Sequence, residues 1–446
     1  MKIIIIGAGK VGIQIAKTLS LEDNDITIID QKENIRQEID DTIDIMAVVG
    51  NGADVDVLES AGIKEAEMLI AVTQSDEINI IACMMAQQYG VAKKIARIRK
   101  REYLNKKFLS KEKLGIDYII NPELVTVNEI VKLLNTPANV SEVLDIANGE
   151  ISLFGMKIEE DCQCTSEKIK NIPFGEGTLM VSIYRGNKLI IPDGEEKLLV
   201  DDRIYVLMKK GRYNDLQLFC KNKTCVLKNV IIFGGSNIGI QIASLLSKAG
   251  IITKIIEINK QKCEEISEIL PDTLIINGDG TNIDLLKEEN IDTVDGFVAV
   301  TGYDEENLLV SLLAKHLGSN KVIAKISRAN YIPILKKIGI DAVVNQQLTT
   351  TSAILDILKK EEGNYVALLK EGESEIAELV AQKRSRILNK SLDRTNLPKN
   401  TIIGAIIRNE EVFVPHGDDF IKEGDRVILF TKSAEIKQIE QLFYER

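Results

Sequence analysis

The residues best placed for chemistry open the chain: Gly7-Ala8-Gly9-Lys10-Val11-Gly12, directly after the apolar run Lys2–Ile6. Between a strand and a helix, this glycine spacing serves a phosphate. Gly7 permits the tight turn, Gly9 lets backbone approach the phosphate, and Gly12 lets the helix pack on its strand. The helix start, at Lys10 and Val11, then offers free N–H groups and a partial positive charge to a pyrophosphate. A second apolar run, ITIID, ends in Asp30. A carboxylate there accepts ribose hydroxyls and repels a 2′-phosphate, which favours NAD(H) or ATP/ADP over NADP(H). Asn51 and Gly52 end the third run, where adenine or ribose edges would lie, and Arg97 and Arg99 follow the fifth.

The same set recurs in the second half. Gly234 and Gly239 repeat Gly7 and Gly12, and Glu257 stands as far past Gly234 as Asp30 does past Gly7. Asp279 repeats the end of the third run, and Lys325 stands where Arg97 does. The segments AVTQSDEIN and AVTGYDEEN match, as do IPDGEEKLLVDDRIYVL and VPHGDDFIKEGDRVILF, in the same order. The chain is therefore a duplication of one unit, each about half its 446 residues. The copies differ at the phosphate turn, where Ser236 and Asn237 replace Gly9 and Lys10. By residue count, site one offers Lys10, Arg97 and Arg99 to phosphates, and site two Lys325 and Arg328. The second site is relaxed or retuned.

These residues need strands to end together and a helix to begin beside them. KIIII, DITIID, IMAVV, MLIAV and KIARI read as strands with helices between, the pattern of a parallel sheet with helical crossovers. PELVTVNEIVKLLNTP, bounded by prolines, reads as a connecting helix. The rhythm then shifts to strands joined by Gly, Asn and Asp turns. The expected fold class is α/β: two Rossmann-like parallel-sheet lobes, each followed by a connecting helix and a small β-rich α+β lobe. The expected boundaries are 1–122 for the first Rossmann-like lobe, 123–140 for the connecting helix and 141–212 for the first β-rich lobe. The second Rossmann-like lobe takes 227–348, and its helix and β-rich lobe take 349–446.

Composition narrows the function. A formal net charge of −11 argues against nucleic acid as a partner. No apolar run approaches the ~18 residues that span a bilayer, so a cytoplasmic chain is expected. The six cysteines include Cys162 and Cys164 as a lone CxC and Cys220 and Cys225 as a loose pair, without histidines at ligand spacing, so no metal site is expected. Tyr103 and Lys107 have the Tyr-x-x-x-Lys spacing of short-chain dehydrogenases, but the glycine pattern is of another type and the second half lacks the pair. No nucleophile elbow or convergent acid–base set is present. A nucleotide is held with nothing placed to react with it, which points to a sensor and not an enzyme. The alternative is an NAD-dependent oxidoreductase with an unrecognised substrate site.

The ordered set of glycine turn, GNGADVDVL, AVTQSDEINIIAC, ARIR and IPDG…DDRIYVL resembles the RCK (regulator of potassium conductance) domain. Two such units in one chain resemble the peripheral nucleotide-binding subunits of Trk-type potassium uptake systems. The resemblance covers nearly the whole chain. It implies binding of NAD(H) or ATP/ADP and assembly into a homotetrameric ring. It also implies docking on a Trk-type potassium-translocating membrane protein at the inner face of the cell membrane. Carried onto matching positions, Gly7, Gly9, Gly12, Asp30, Asn51, Thr73 and Arg97 would line site one. Gly234, Gly239, Glu257, Asp279, Thr301 and Lys325 would line site two.

Overall fold

The computed structural model describes residues 1–20, 24–32, 45–104, 114–160, 162–186, 188–219, 227–362, 366–368, 374–398, 400–409, 411–432 and 435–444. After Lys2 the opening KIIII is apolar at every position because both faces of its strand are covered. Ile3 and Ile5 enter one core cluster, Ile4 and Ile6 the other. This strand is β1 (Lys2–Ile6), followed by β2 (Asp25–Asp30), β3 (Ile45–Val49), β4 (Met68–Ala71), β5 (Lys93–Arg97) and β6 (Tyr118–Ile120). All pair in parallel, in the order β3-β2-β1-β4-β5-β6. The order reverses between β1 and β4, and a ligand crevice belongs outside the strand ends at that point. The sixth strand was not among the five read from the sequence. At three residues, YII, it is too short to show a period.

The first β-rich lobe holds β7 (Val140–Ile146), β8 (Ile151–Lys157), β9 (Thr178–Arg185), β10 (Lys188–Ile190) and β11 (Arg203–Lys209), in the order β10-β9-β11-β8-β7. The second Rossmann-like sheet repeats the first. It comprises β12 (Asn229–Phe233), β13 (Ile252–Glu257), β14 (Leu274–Asn277), β15 (Gly296–Ala299), β16 (Lys321–Lys325) and β17 (Ala342–Val344), ordered β14-β13-β12-β15-β16-β17. The last sheet holds β18 (Val366–Leu368), β19 (Ser374–Val380), β20 (Thr401–Arg408), β21 (Glu411–Phe413) and β22 (Arg426–Lys432). Its order, β18-β19-β22-β20-β21, is that of the first β-rich lobe read from the other edge.

The units are not laid end to end. The β-rich sheets share one core, in which Leu153, Tyr205 and Leu207 meet Ile376, Ile428 and Phe430. The connecting helices are exchanged. Pro122–Leu134 buries Val127, Ile130 and Leu133 with Ile238, Ile242 and Ile323 of the second Rossmann-like lobe. Gln346–Glu362 buries Ile354 and Leu358 with Ile3, Ile15 and Leu19 of the first. Each Rossmann-like sheet is thus covered by the other unit's helix.

Each β-rich lobe is stitched by an Arg–Asp fork at the repeated D-R motif. The Arg185 Nε and Nη2 donate to the two oxygens of Asp202, each at 2.9 Å, and the Leu199 N–H donates to it as well. The Arg408 pair with Asp425 repeats it at 2.9 and 2.6 Å. Asp202 is 1% exposed while the Arg185 side chain is 34% exposed, so the carboxylate is the costly half of the pair to remove. Asp202→Ala should destabilise this lobe by about 2–4 kcal/mol, somewhat below a fully buried pair. Denaturant unfolding monitored in the β-rich lobe checks it; a loss below about 1 kcal/mol would mean the fork is solvated.

Candidate nucleotide-binding crevices

Local geometry assembles the first crevice from five strand ends. Gly7 sits at φ +107°, a conformation that side chains resist, and a Cβ there would lie 3.0 Å from the Thr73 backbone nitrogen. Only glycine lets the turn after β1 approach the end of β4 so closely. The Asp30 carboxylate, at the end of β2, reaches the same turn: Oδ2 accepts the Ala8 N–H at 2.7 Å and Oδ1 the Lys32 N–H at 3.0 Å. Each oxygen keeps a further lone-pair direction for a hydroxyl. The helix Lys10–Ser20 begins at this turn, and Gly9, the residue before it, has no side chain with which to cap its first N–H groups. A Cβ at Gly9 would meet nothing within 4 Å, so open space faces the helix start. Lys10 is exposed there, and Val11 is half-buried behind it.

The far wall comes from β4 and β5. The Thr73 N–H and hydroxyl meet Asn79 Oδ1 at 3.0 and 2.7 Å, and Asn79 Nδ2 donates to the carbonyls of Thr73 and Arg97 at 3.2 and 2.8 Å. Arg97 Nη1 donates to the Thr73 carbonyl at 3.3 Å. Burial, and then the neighbouring Arg99 charge, lower the Arg97 pKa from its usual value. Its Nε is buried without a hydrogen-bond partner. The Asp76 charge opposes that shift, but no ion pair joins it to Arg97 among the described residues, and a half-buried guanidinium with an unpaired N–H is a group suited to an anion. Arg99 turns outward to the Gln74 carbonyl. Asn51 shapes the turn after β3, its side chain accepting the Ala53 N–H at 3.0 Å. Gly52 is buried, and a Cβ there would lie 2.1 Å from the Ile6 Cγ2.

The second crevice repeats the scaffold and changes the contents. Gly234 has φ +105° beside Thr301, and Asn307 joins Thr301 to the Lys325 carbonyl at 3.0 Å. Lys325 Nζ donates to the Thr301 carbonyl at 2.9 Å, as Arg97 does to Thr73. Asp279 accepts the N–H and hydroxyl of Thr281 at 2.9 and 2.7 Å. The difference lies at the turn. Ser236 caps the helix Asn237–Lys248: its hydroxyl accepts the Gly239 N–H at 3.3 Å and donates to the Val300 carbonyl at 2.7 Å. The group that replaces Gly9 has itself taken the helix start. Glu257 accepts the Gly235 N–H at 2.9 Å and the Asn259 N–H at 3.0 Å, and Lys262 lies 3.3 Å away. Burial pushes the Glu257 carboxyl up, but these N–H groups and the Lys262 charge outweigh it, so its pKa falls below the ordinary value. Arg328, counted above toward phosphate, pairs instead with Glu305 at 3.0 Å and Tyr331 at 2.8 Å.

Asn79 and Asn307, both 0% exposed, join the strand ends of each crevice and were missed. The repeated AVTQSDEIN and AVTGYDEEN contained them, but only the threonines were singled out. Tyr103 donates to Glu77 at 3.0 Å, while Lys107, Cys220 and Cys225 lie outside the described residues. Cys162 and Cys164 are buried, and no cluster among the described residues could hold a metal.

Two doubly wound sheets, each with a glycine turn and an acidic strand end at its switch point, define a tandem dinucleotide-fold protein. Models of the TrkA-N domain match residues 3–122 and 230–346, and of the TrkA-C domain residues 153–221 and 376–444. The chain belongs to the TrkA family of potassium uptake proteins. It is 34% identical to Trk system potassium uptake protein TrkA homolog 1 of Methanosarcina mazei, over 99% of this chain and 100% of the relative. It is also 34% identical to the TrkA of Halomonas elongata, over 99% of this chain and 98% of the relative. Among solved structures, the GsuK RCK domain matches with a TM-score of 0.60 at 18% identity, over 99% of this chain and 94% of that one. The NAD-bound GsuK channel matches with 0.61 at 18% identity, over 99% of this chain and 78% of that one. At that identity the structural matches establish the fold. No helix among the described residues is long and apolar enough to cross a membrane.

Proposed function

We propose that the chain is the nucleotide-sensing regulatory subunit of a Trk-type potassium uptake system, and not an enzyme. It binds NAD(H) or ATP/ADP in the first crevice and docks, as a homotetrameric ring, on the cytoplasmic face of a potassium-translocating membrane protein. The observation that carries the reading is the first turn. There an uncapped helix start opens beside Lys10 and Gly9, with the Asp30 carboxylate already on the Ala8 N–H. Diphosphate takes the helix start, ribose takes Asp30, and Arg97 closes on the anion from β5. The TrkA relatives supply the potassium context, and the NAD-bound GsuK channel shares the fold.

The same logic makes the second crevice, bounded by Gly234, Gly239, Glu257, Asp279, Thr301 and Lys325, the weaker polyphosphate site. Ser236 already caps its helix, and Asn237 supplies no charge where Lys10 does. Asp30→Ala tests the assignment of the first crevice. Loss of two ribose hydrogen bonds to a charged acceptor should weaken NADH or ATP binding at least ~tenfold. Calorimetry on the full chain reads it, and an unchanged dissociation constant would remove Asp30 from the site.

A further inference from the structure

The segment that leads into the second unit is docked on two thiols. Tyr213–Phe219 forms a short 3₁₀ helix, the last described stretch before residue 227. Its Leu216 and Phe219 are buried in the core cluster that also contains Cys162 and Cys164. Both sulfurs point at one atom of the segment. The Cys164 and Cys162 thiols donate to the Leu218 carbonyl oxygen at 3.1 and 3.9 Å. Two further groups complete the clasp. Asn139 Nδ2 donates to the Phe219 carbonyl at 2.9 Å. The Asp215 carboxylate accepts the Gly175 N–H at 3.1 Å and the Thr178 hydroxyl at 2.6 Å.

The second unit shows what docking alone requires. In the register that sets DDRIYVL against GDRVILF, Ser385 matches Cys162 and Ile387 matches Cys164. There the closing segment is the helix Ile436–Phe443. The Ser385 hydroxyl donates to the Phe443 carbonyl, and Ile387 is buried beside Phe443 in one apolar cluster. One hydroxyl and one hydrocarbon are enough. Two sulfurs exceed that need and add a chemistry that serine and isoleucine lack.

The sulfurs are also placed to join. The Thr165 N–H donates to the Cys162 carbonyl at 3.1 Å, closing a tight turn that contains Cys164. In such a turn, Cα atoms two residues apart lie ~5–5.5 Å from each other. A disulfide bridges Cα atoms ~4.4–6.8 Å apart. With the segment docked, the pair is inert. A hydrogen bond with Cys162, and then burial, raise the Cys164 pKa, and a buried protonated thiol is not a nucleophile.

We propose that Cys162 and Cys164 form a thiol-oxidation site that reacts with a low-molecular-weight disulfide, RSSR, and thereby releases the segment 213–219. When the segment lifts, both thiols meet solvent. One attacks RSSR as its thiolate; the S–S bond of RSSR breaks, a mixed disulfide forms, and the first RSH leaves with the proton. The second thiolate then attacks the protein sulfur of the mixed disulfide, closing the Cys162–Cys164 bond and expelling the second RSH with the other proton. Two protein thiols are oxidised and one RSSR is reduced to two RSH. The closed pair has no S–H left for the Leu218 carbonyl, so docking loses both of those donors. Lifting therefore favours oxidation, and oxidation favours lifting, by the same factor.

Oxidised glutathione, added to the full chain carrying Cys220→Ser and Cys225→Ser, tests the site. A non-reducing digest read by mass spectrometry should show the peptide with Cys162 and Cys164 lighter by two hydrogens. Hydrogen exchange of the 213–219 peptide should quicken at least ~tenfold on oxidation and slow again with dithiothreitol. Asp215→Ala loosens the segment away from the sulfurs, and should speed disulfide formation at least ~tenfold. Asn139→Ala gives the same comparison if that variant does not fold. Cys164→Ser keeps a hydroxyl for the carbonyl, as Ser385 does, and its exchange should stay slow with or without the oxidant. A pair that stays reduced, or holds glutathione without closing, would overturn the site. Closure with unchanged exchange of 213–219 would overturn the release, and closure no faster in the loosened variant would overturn the need for lifting.

Discussion

Gly12→Ala should abolish useful nucleotide binding in the first crevice, weakening it at least ~hundredfold. A Cβ at that position would lie 1.9 Å from the Gly7 carbonyl oxygen. The obstacle is backbone, so no side chain can rotate away. Relief requires the helix Lys10–Ser20 to lift from β1, and a displacement of about 1 Å at a preorganised site costs on the order of a hundredfold. The second crevice is a built-in control, because Gly239 holds the same place there, its Cβ position 2.2 Å from the Gly234 oxygen. Calorimetry on Gly12→Ala, with circular dichroism to show that the chain is folded, checks the expectation. Affinity within about threefold of wild type would mean that the helix start does not touch the ligand.

Lys10→Ala should remove the nucleotide response of potassium flux while leaving the protein folded and assembled. Lys10 is exposed and makes no ion pair among the described residues, so its loss leaves no buried partner unsatisfied. Its charge matters only when a phosphate arrives, where a charge-assisted hydrogen bond contributes about 1.5–3 kcal/mol. On the proposed function, a triphosphate, or the charge difference between NAD⁺ and NADH, would draw Lys10 and Arg97 across the crevice. The exchanged helix Gln346–Glu362, packed on Lys10–Ser20, would carry that movement to the other unit. Flux through the chain reconstituted with its membrane partner should then be the same with ATP and with ADP. A full nucleotide response in Lys10→Ala would rule out the first lobe as the switch.

The elements legible in the sequence are those whose cause is local. The four isoleucines of β1, buried on both faces, and the fixed step from Gly7 to Asp30 together state a strand, a turn and a carboxylate within one short window. The duplication made the second sheet legible by comparison with the first. What stayed hidden depends on partners distant in the chain. Ser236 is read as an obstruction to phosphate until its hydroxyl is found on the Gly239 N–H, where it becomes a cap. Lys321 looks like one more surface lysine, and only the exchange of connecting helices places it among the oxygens of Leu133 to Val140. The buried Asn79 carries no local pattern at all, since its four bonds reach back to Thr73 and forward to Arg97.

The account turns on one open and one self-capped helix start in a single chain. Titration of the full-length protein with ATP and with NADH, by calorimetry, tests it most directly when wild type is set beside Gly12→Ala and Gly239→Ala. The account predicts one tight site per chain and a second at least ~tenfold weaker, from the loss of one charged contact and the Gly239 N–H already taken by Ser236. The tight site should vanish in Gly12→Ala and persist in Gly239→Ala. A tight site that survives Gly12→Ala and is lost in Gly239→Ala would contradict it, as would two equal sites.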